Sequence, residues 1–208
     1  MGRKIAVGIL ALGLGGLGFA TYVPVGRGAP ALPQAIPQGT TQDEGGGQVS
    51  STDYNRLIER GLEMPVPGVD PKTIRDTFNE MRGTERHEAT DILAPYGSPV
   101  VAVDDGVVRK LFYSVRGGNT VYQFDPTETY CYYYAHLDRY AEGLKEGQLI
   151  KRGAVIGYAG ASGDALMSSP HLHFAIFKLG PDKRWWQGTP IDPYPILMTP
   201  HPKPLDAR

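Results

Sequence analysis

Residues 130–137 read Tyr-Cys-Tyr-Tyr-Tyr-Ala-His-Leu, a run that contains neither glycine nor proline. Successive side chains of a strand point to opposite faces, so Tyr130, Tyr132, Tyr134 and His136 are predicted to share one face. The opposite face takes the other four residues, among them Cys131, which we interpret as a small buried apolar residue. The stretch therefore predicts a strand with an aromatic stripe that ends in a histidine.

Five further stretches around this strand have the same short, turn-bounded character. They lie at residues 99–103, 107–113, 121–124, 154–159 and 171–179. Asp104-Asp105-Gly106 separates the first two and predicts a hairpin-like turn. The 27 glycines and 18 prolines disfavour long helices. The sequence thus predicts an all-β fold, a small antiparallel sheet or sandwich with a groove, with short helices in the N-terminal lead-in.

Composition excludes several classes of protein. The chain has 208 residues and a net charge of −1, so it lacks the basic field that nucleic-acid binding requires. A single cysteine can form neither an internal disulfide nor a thiolate metal cluster. The length suits one domain with additional segments.

The N-terminal 50 residues have the pattern of an export segment followed by a tether. Arg3 and Lys4 precede an uncharged apolar run, and residues 5–25 predict either a cleaved signal peptide or a membrane anchor. Either one places the rest of the chain in the cell envelope. Residues 26–50 are rich in Pro, Gly, Gln and Ala and predict a flexible linker.

Residues 51–82 predict an N-terminal extension with two short helices. Thr52 or Asp53 is expected to cap the first helix, which runs through Leu62. Asp70-Pro71 is a typical helix start, with Ile74 and Phe78 on one face of the second helix.

Four of the five histidines stand in positions that suggest chemistry, and three of these four belong to pairs that suit metal binding. His87 and Asp91 are four apart, and an extended segment would point both to one side. His171 and His173 share a face, while Leu172, Phe174 and Ile176 take the core face. Two imidazoles and one carboxylate suit a catalytic zinc with one open coordination position, whereas four protein ligands would suggest a closed structural site. The residue types alone leave open which of His171 and His173 is a ligand.

Three ordered motifs resemble those of the lysostaphin-type (LytM-like) zinc endopeptidases. The first is Arg86-His87-Glu88-Ala89-Thr90-Asp91-Ile92, the second is Tyr134-Ala135-His136-Leu137, and the third is Pro170-His171-Leu172-His173-Phe174. Glycine-marked turns at 147, 153, 157, 160 and 163 lie between the second and third motifs. Each motif alone is weak, but three in order form a specific pattern over residues 73–198.

The resemblance implies a site and an activity. His87, Asp91 and His173 would bind Zn²⁺ in a groove of the sheet, and His136 and His171 would be the catalytic, proton-handling residues. The zinc peptidase domain would span residues 83–198, followed by a tail at residues 199–208 that includes His201. The implied activity is hydrolysis of peptide bonds in bacterial peptidoglycan, in the stem or the cross-bridge.

Two positions depart from the family pattern, and two alternative functions fit the same motifs. Ala89 stands where the family usually has Gly, and Ala175 stands where it usually has an acidic residue; both bear on substrate preference and rate. The main alternative is a non-enzymatic wall-binding module that activates other hydrolases, and another is a zinc hydrolase for a non-wall peptide. Trp185-Trp186 either packs on the sheet edge or lines a groove, and we favour packing.

Overall fold

The structure is a computed structural model that describes residues 48–200. The signal or anchor segment at residues 5–25, most of the tether and His201 lie outside the described residues. In chain order the elements are α1 (Ser51–Arg60), a 3₁₀ turn (Pro71–Thr73), β1 (Met81–Arg82), β2 (Glu85–Arg86), β3 (Thr90–Leu93), β4 (Pro99–Val101), β5 (Gly106–Ser114), β6 (Gly118–Phe124), β7 (Tyr130–Tyr140), β8 (Leu149–Ile150), β9 (Val155–Ala159), β10 (His171–Leu179), β11 (Gly188–Ile191) and α2 (Pro193–Met198).

The all-β prediction is confirmed, because one antiparallel sheet organises the molecule. Its strands lie in the order β11-β10-β7-β6-β5-β8, and β7 is central because it pairs with β6, β10 and β9. β3 extends the pairing of β10, and β4 pairs with β9. β1 and β2 form a separate two-stranded hairpin.

The alternation of β7 divides the buried residues between the two faces of the sheet. One face contributes Tyr130, Tyr132 and Tyr134 to a main core. The other contributes Cys131, Tyr133 and Ala135 to a second core. β10 makes the same division, with Leu172, Phe174 and Ile176 in the main core as predicted. Cys131 is fully buried, and burial raises the pKa of its thiol well above the ordinary value, which suits an apolar role.

The lead-in shares the main core with the sheet. Leu57, Leu62, Val66 and Ile74 are all buried in it. Arg60 also pairs with Asp104 and Asp125, both at 2.8 Å, and ties the end of α1 to the loops of the sheet.

The first lead-in helix is correct, but its predicted cap is wrong. Ser50 is the N-cap, and the Asp53 carboxylate accepts hydrogen bonds from the Ser50 backbone N–H and hydroxyl, both at 2.8 Å. Asp53 is the third residue after the cap, in the first turn of the helix, and it also pairs with Lys178 at 3.0 Å. The helix ends at Arg60, not Leu62, because Gly61 adopts a left-handed conformation with φ 61°.

The second predicted helix is reduced to a single 3₁₀ turn. Asp70 does cap it by accepting a hydrogen bond from the Lys72 N–H. Ile74, however, is already extended and buried. After this turn the chain continues without helix to Thr77. The Thr77 hydroxyl donates a hydrogen bond to the carbonyl of Ala89, in the segment that carries the predicted ligands.

The predicted hairpin at Asp104-Asp105-Gly106 is also wrong. The flanking strands do not pair with each other; β4 pairs with β9, and β5 pairs with β6 and β8. The two aspartates instead bind basic side chains, Asp104 with Arg60 and Arg152, and Asp105 with Lys151. These ion pairs hold the segment as a corner between strands.

Among the described residues, no helix is long and apolar enough to cross a membrane.

Candidate metal centre

Strand register brings Asp91 and His173 side by side. β3 and β10 are antiparallel, and Asp91 lies directly opposite His173 in that pairing. Directly opposed residues on one sheet face have close side chains. Asp91 Oδ1 accordingly lies 3.3 Å from His173 Nδ1.

His87 reaches the same point from a turn rather than from a continuous strand. The extended segment expected between His87 and Asp91 is interrupted at Glu88, whose backbone is left-handed with φ 54°. Backbone hydrogen bonds from His87 to Glu80 and from Glu88 to Phe78, at 2.8 and 2.9 Å, hold this turn. The His87 side chain is 4 % exposed, and its Nε2 lies 3.1 Å from Asp91 Oδ1.

The orientation of the His87 ring follows from its second contact. His87 Nδ1 lies 3.1 Å from the carbonyl oxygen of Thr77, which can only accept a hydrogen bond. In the neutral ring the proton therefore sits on Nδ1, and Nε2 presents a lone pair to the centre. A backbone carbonyl in this position is the usual support of a metal-binding imidazole.

The three side chains fit one small metal ion. His87 Nε2, Asp91 Oδ1 and His173 Nδ1 form a triangle with edges of 3.1, 3.1 and 3.3 Å. Two ligand atoms that each lie about 2.0–2.1 Å from a tetrahedral zinc ion are separated by about 3.3 Å. Within the described part of the chain, no well-formed hydrogen bond reaches the buried Asp91 Oδ1. A cation would satisfy that oxygen together with the two imidazoles.

The protonation states also suit a cation. Burial raises the pKa of the Asp91 carboxyl, but the contacts with His173 and His87 outweigh burial and hold that pKa well below its usual range. Burial lowers the pKa of His173 to about 4, against the opposing effect of Asp91. Asp91 is thus ionised and His173 neutral near neutral pH, which are the forms that bind a metal.

His136 lies beside this triangle, but not on the predicted face of β7. Its backbone is left-handed, with φ 59°, and the pairing of β6 with β7 shifts register at this point. The extra residue reverses the alternation, so Leu137 joins the main core and His136 lines the groove with Tyr133 and Ala135. The expected common face for His136 and Tyr134 is therefore wrong.

Two backbone carbonyls orient the remaining histidines. His136 Nδ1 lies 2.8 Å from the carbonyl oxygen of Ser162, and His171 Nδ1 lies 2.9 Å from that of Ser169. Each Nδ1 therefore carries the proton, and each Nε2 is free to accept one. The two rings are neighbours, with centroids 4.9 Å apart, and His171 Nε2 lies 3.8 Å from Asp91 Oδ1. Burial lowers the pKa of His136, which favours its neutral form.

These groups open into a groove of about 380 Å³. Its walls come from the lead-in, the β5–β6 turn, β7 and the loop before β10. The lining residues are Thr73, Arg75, Thr77, Arg82, His87, Asp91, Leu93, Arg116, Gly117, Tyr133, Ala135, His136, Asp164, Ala165, Leu166, Ser169, His171 and His173. All five residues that the sequence singles out thus meet in one groove.

The groups that orient these five residues have no motif of their own in the sequence. Arg82 Nη2 lies 2.9 Å from Asp91 Oδ2, on the side of the carboxylate away from the imidazoles. The carbonyls of Thr77, Ser162 and Ser169 hold three rings, but any residue type can offer a carbonyl, so the sequence holds no signal for them.

The groove lining includes neither the tryptophan pair nor the two alanines that depart from the family pattern. Trp185 packs on Tyr122 and Phe112, with ring centroids 4.8 and 5.4 Å apart, as the packing interpretation expects. Ala89 and Ala175 are buried in the second core and do not line the groove.

The fold and this donor set define a class, the small antiparallel β domains with a single-metal site of two imidazoles and one carboxylate. Residues 85–193 match the model of peptidase family M23, which is just over half of the chain. The chain belongs to that family.

Individual relatives and structures agree with this assignment. An L-Ala--D-Glu endopeptidase of Bacillus subtilis is 37% identical over 64% of this chain and 42% of its own length. Peptidoglycan DD-endopeptidase ShyC of Vibrio cholerae is 31% identical over 75% of this chain and 36% of its own length. The crystal structure of a zinc-containing peptidase from Vibrio cholerae has a TM-score of 0.52 and 29% identity, over 69% of this chain and 41% of that one. This chain therefore spans less than half the length of these three proteins.

Proposed function

We propose that this chain is a zinc-dependent endopeptidase that hydrolyses peptide bonds in bacterial peptidoglycan. The observation that carries the proposal is the triangle of His87, Asp91 and His173, with the Nε2 atoms of two oriented imidazoles beside it. Membership of family M23 and the similarity to two named endopeptidases support the reaction class.

In this proposal His87, Asp91 and His173 hold the zinc ion. Zinc would act as a Lewis acid that polarises the scissile carbonyl and makes water a stronger nucleophile at neutral pH. The match of the triangle to a tetrahedral zinc and the buried, unsatisfied Asp91 Oδ1 support zinc over a larger oxygen-preferring cation.

His136 and His171 would move the protons. Each carries its proton on Nδ1, bound to a carbonyl, so each offers a basic Nε2 to the groove. Attack on the carbonyl requires a base that takes a proton from water, and departure of the amine requires an acid that returns one. One protonated imidazole would also stabilise negative charge on the carbonyl oxygen.

The location of the enzyme follows from the same proposal. Peptidoglycan lies outside the cytoplasmic membrane, so the domain must be exported. Residues 5–25 would serve as a signal peptide or anchor and residues 26–50 as the tether that reaches the wall. Membrane fractionation of the full chain, followed by N-terminal sequencing, distinguishes a cleaved signal from a retained anchor.

Two variants separate metal binding from proton transfer. His173→Ala is expected to lose zinc and hydrolysis together. His136→Asn is expected to keep zinc but to lose hydrolysis, and Asn is chosen because it tolerates the left-handed backbone of His136. Metal analysis is combined with digestion of purified wall and mass spectrometry of the fragments.

His201→Ala is the matched control, since it removes the one histidine that the proposal does not use. It should retain both zinc and hydrolysis. Equal zinc loss in His173→Ala and His136→Asn would overturn the assigned roles. Full zinc occupancy with no cleavage of any wall fraction would overturn the proposed enzymatic activity and favour a wall-binding module.

A further inference from the structure

The charged side chains that line the groove are unbalanced. Three guanidinium groups, those of Arg75, Arg82 and Arg116, face two carboxylates, those of Asp91 and Asp164. The Oδ2 atom of Asp91 pairs with Arg82, and its Oδ1 atom faces the two imidazoles. A bound dication would add further positive charge, so the groove as a whole favours an anionic ligand.

Arg116 is held in place but weakly paired. Its carbonyl accepts a hydrogen bond from the Asp164 N–H at 3.0 Å, which fixes the backbone against the loop before β10. Its guanidinium pairs with Glu85 at 2.8 Å, and the two side chains are 49% and 36% exposed. A pair this exposed is screened by water and contributes little to stability. A ligand carboxylate can therefore replace Glu85 at little cost.

Arg75 adds a second guanidinium to the lining. It lies between the 3₁₀ turn and Thr77, on the wall that the lead-in provides. Among residues 48–200, its exposed side chain makes no ion pair or hydrogen bond. A guanidinium presents parallel N–H donors that match a carboxylate, so this is an available binding group.

Apolar groups stand beside these charges. Leu93 and Leu166 line the groove and are 64% and 69% exposed. Exposed leucines near a polar site provide contact area for small aliphatic side chains. The positive charge and the apolar surface together suit a peptide that carries a carboxylate group as well as small aliphatic side chains.

We infer that Arg75 and Arg116 bind a free carboxylate of the substrate, so that the groove selects an acidic stem peptide over an uncharged glycine cross-bridge. This inference rests on the proposed function, because it names the substrate class of the same site. A glycine cross-bridge has no carboxylate along its length and no side chains to contact Leu93 or Leu166. A stem peptide with a free carboxyl group has both.

Two synthetic stem peptides, identical except that one carries a carboxylate where the other carries a carboxamide, test the inference. The zinc-loaded full chain is expected to hydrolyse the carboxylate peptide with a kcat/KM about tenfold higher, mainly through KM. Arg75→Gln and Arg116→Gln should each reduce most of this preference, mainly by raising the KM of the carboxylate peptide. The preference should also shrink as the salt concentration rises.

Arg86→Gln is the control, because Arg86 lies outside the groove lining and contacts Asn79. It should retain the full preference. Binding to zinc-loaded His136→Asn separates this inference from the proposed function, because binding does not require cleavage. Tighter binding of the carboxylate peptide supports the inference even if neither peptide is cleaved by the unmutated protein, a result that would overturn only the peptidase. Equal dissociation constants for the two peptides overturn the inference. If both peptides are then cleaved, the proposed peptidase activity still stands.

Discussion

Arg82→Gln should weaken zinc binding without removing any ligand. Asp91 directs Oδ1 toward the two imidazoles and Oδ2 toward Arg82, 2.9 Å away. Loss of the guanidinium frees the carboxylate to rotate away from the geometry that the ion needs. Loss of such a supporting contact typically reduces metal affinity by about 10–100-fold.

The structure places the expected effect at the lower end of that range. The Arg82 side chain is 48% exposed, so water can partly replace its contact with Asp91. We therefore expect the zinc dissociation constant to rise about tenfold, which corresponds to about 1.4 kcal/mol. Competition with a chelator of known zinc affinity measures it.

Arg86→Gln provides the comparison, since it lies on the same hairpin and contacts Asn79 at 3.4 Å. It removes the same charge without touching Asp91. If the two variants bind zinc equally well, Arg82 does not position the carboxylate, and the reasoning from the 2.9 Å contact is refuted.

Three further predictions concern the frame of the site. Burial raises the pKa of Asp53, but hydrogen bonds from Ser50, Lys178 and Tyr130 outweigh it and lower the pKa from 3.8 to about 2. Because the folded pKa is the lower one, this stabilisation exists above pH 3.8 and is lost as the pH falls through about 2. The free energy of unfolding should fall by about 2 kcal/mol over that range through Asp53, and acid titration of Asp53→Asn should lack this part. Arg60→Ala removes one of the two cations that pair with Asp104, which keeps Arg152, and the guanidinium that pairs with Asp125, and it should cost about 2 kcal/mol in chemical denaturation. Gly163→Ala should lower kcat about tenfold or more with zinc retained, because the new methyl would collide with the backbone of Arg116 and Gly118 and shift the neighbouring carbonyl that orients His136.

Gly153→Ala is the control for the last of these predictions. Gly153 has a similar left-handed backbone, with φ 77°, but open space where the methyl would lie. It should therefore show the conformational cost alone, about 1 kcal/mol in stability, and normal hydrolysis. If Gly163→Ala and Gly153→Ala behave alike in the assay, the Ser162 carbonyl does not control His136.

Much of the sheet could be predicted from side-chain alternation. Residues 171–179 form a strand with the expected bounds, and its core face is the expected one. Alternation fails at His136, because a left-handed residue inserts one extra position into β7. A histidine adopts that conformation more often than most residues but does not specify it, and here it accompanies the register shift between β6 and β7.

Helix signals show the same limit. Asp70-Pro71 and Asp192-Pro193 are the same capping pattern, an aspartate whose side chain accepts a backbone N–H and a proline at the first helical position. One yields a single 3₁₀ turn and the other yields α2, which was not predicted. The difference lies in the packing of the residues after each proline, since α2 buries Ile196 and Leu197 against the main core.

The candidate ligands could be found because they occur as ordered motifs, which the sequence shows directly. The groups that orient these ligands could not be found in this way. The Thr77, Ser162 and Ser169 carbonyls belong to the backbone, and Arg82 lies nine residues from Asp91 on a hairpin whose closure depends on the fold.

The lead-in that packs beneath the sheet changes how this protein should be cut for laboratory use. The family match begins at residue 85, whereas side chains buried in the main core begin at Leu57. A fragment that begins at residue 85 would expose the part of the main core that Leu57, Leu62 and Val66 cover. It would also lack Thr77, whose carbonyl orients the His87 ring. Poor solubility or weak metal uptake in such a fragment would be caused by the missing lead-in and would not describe the full chain.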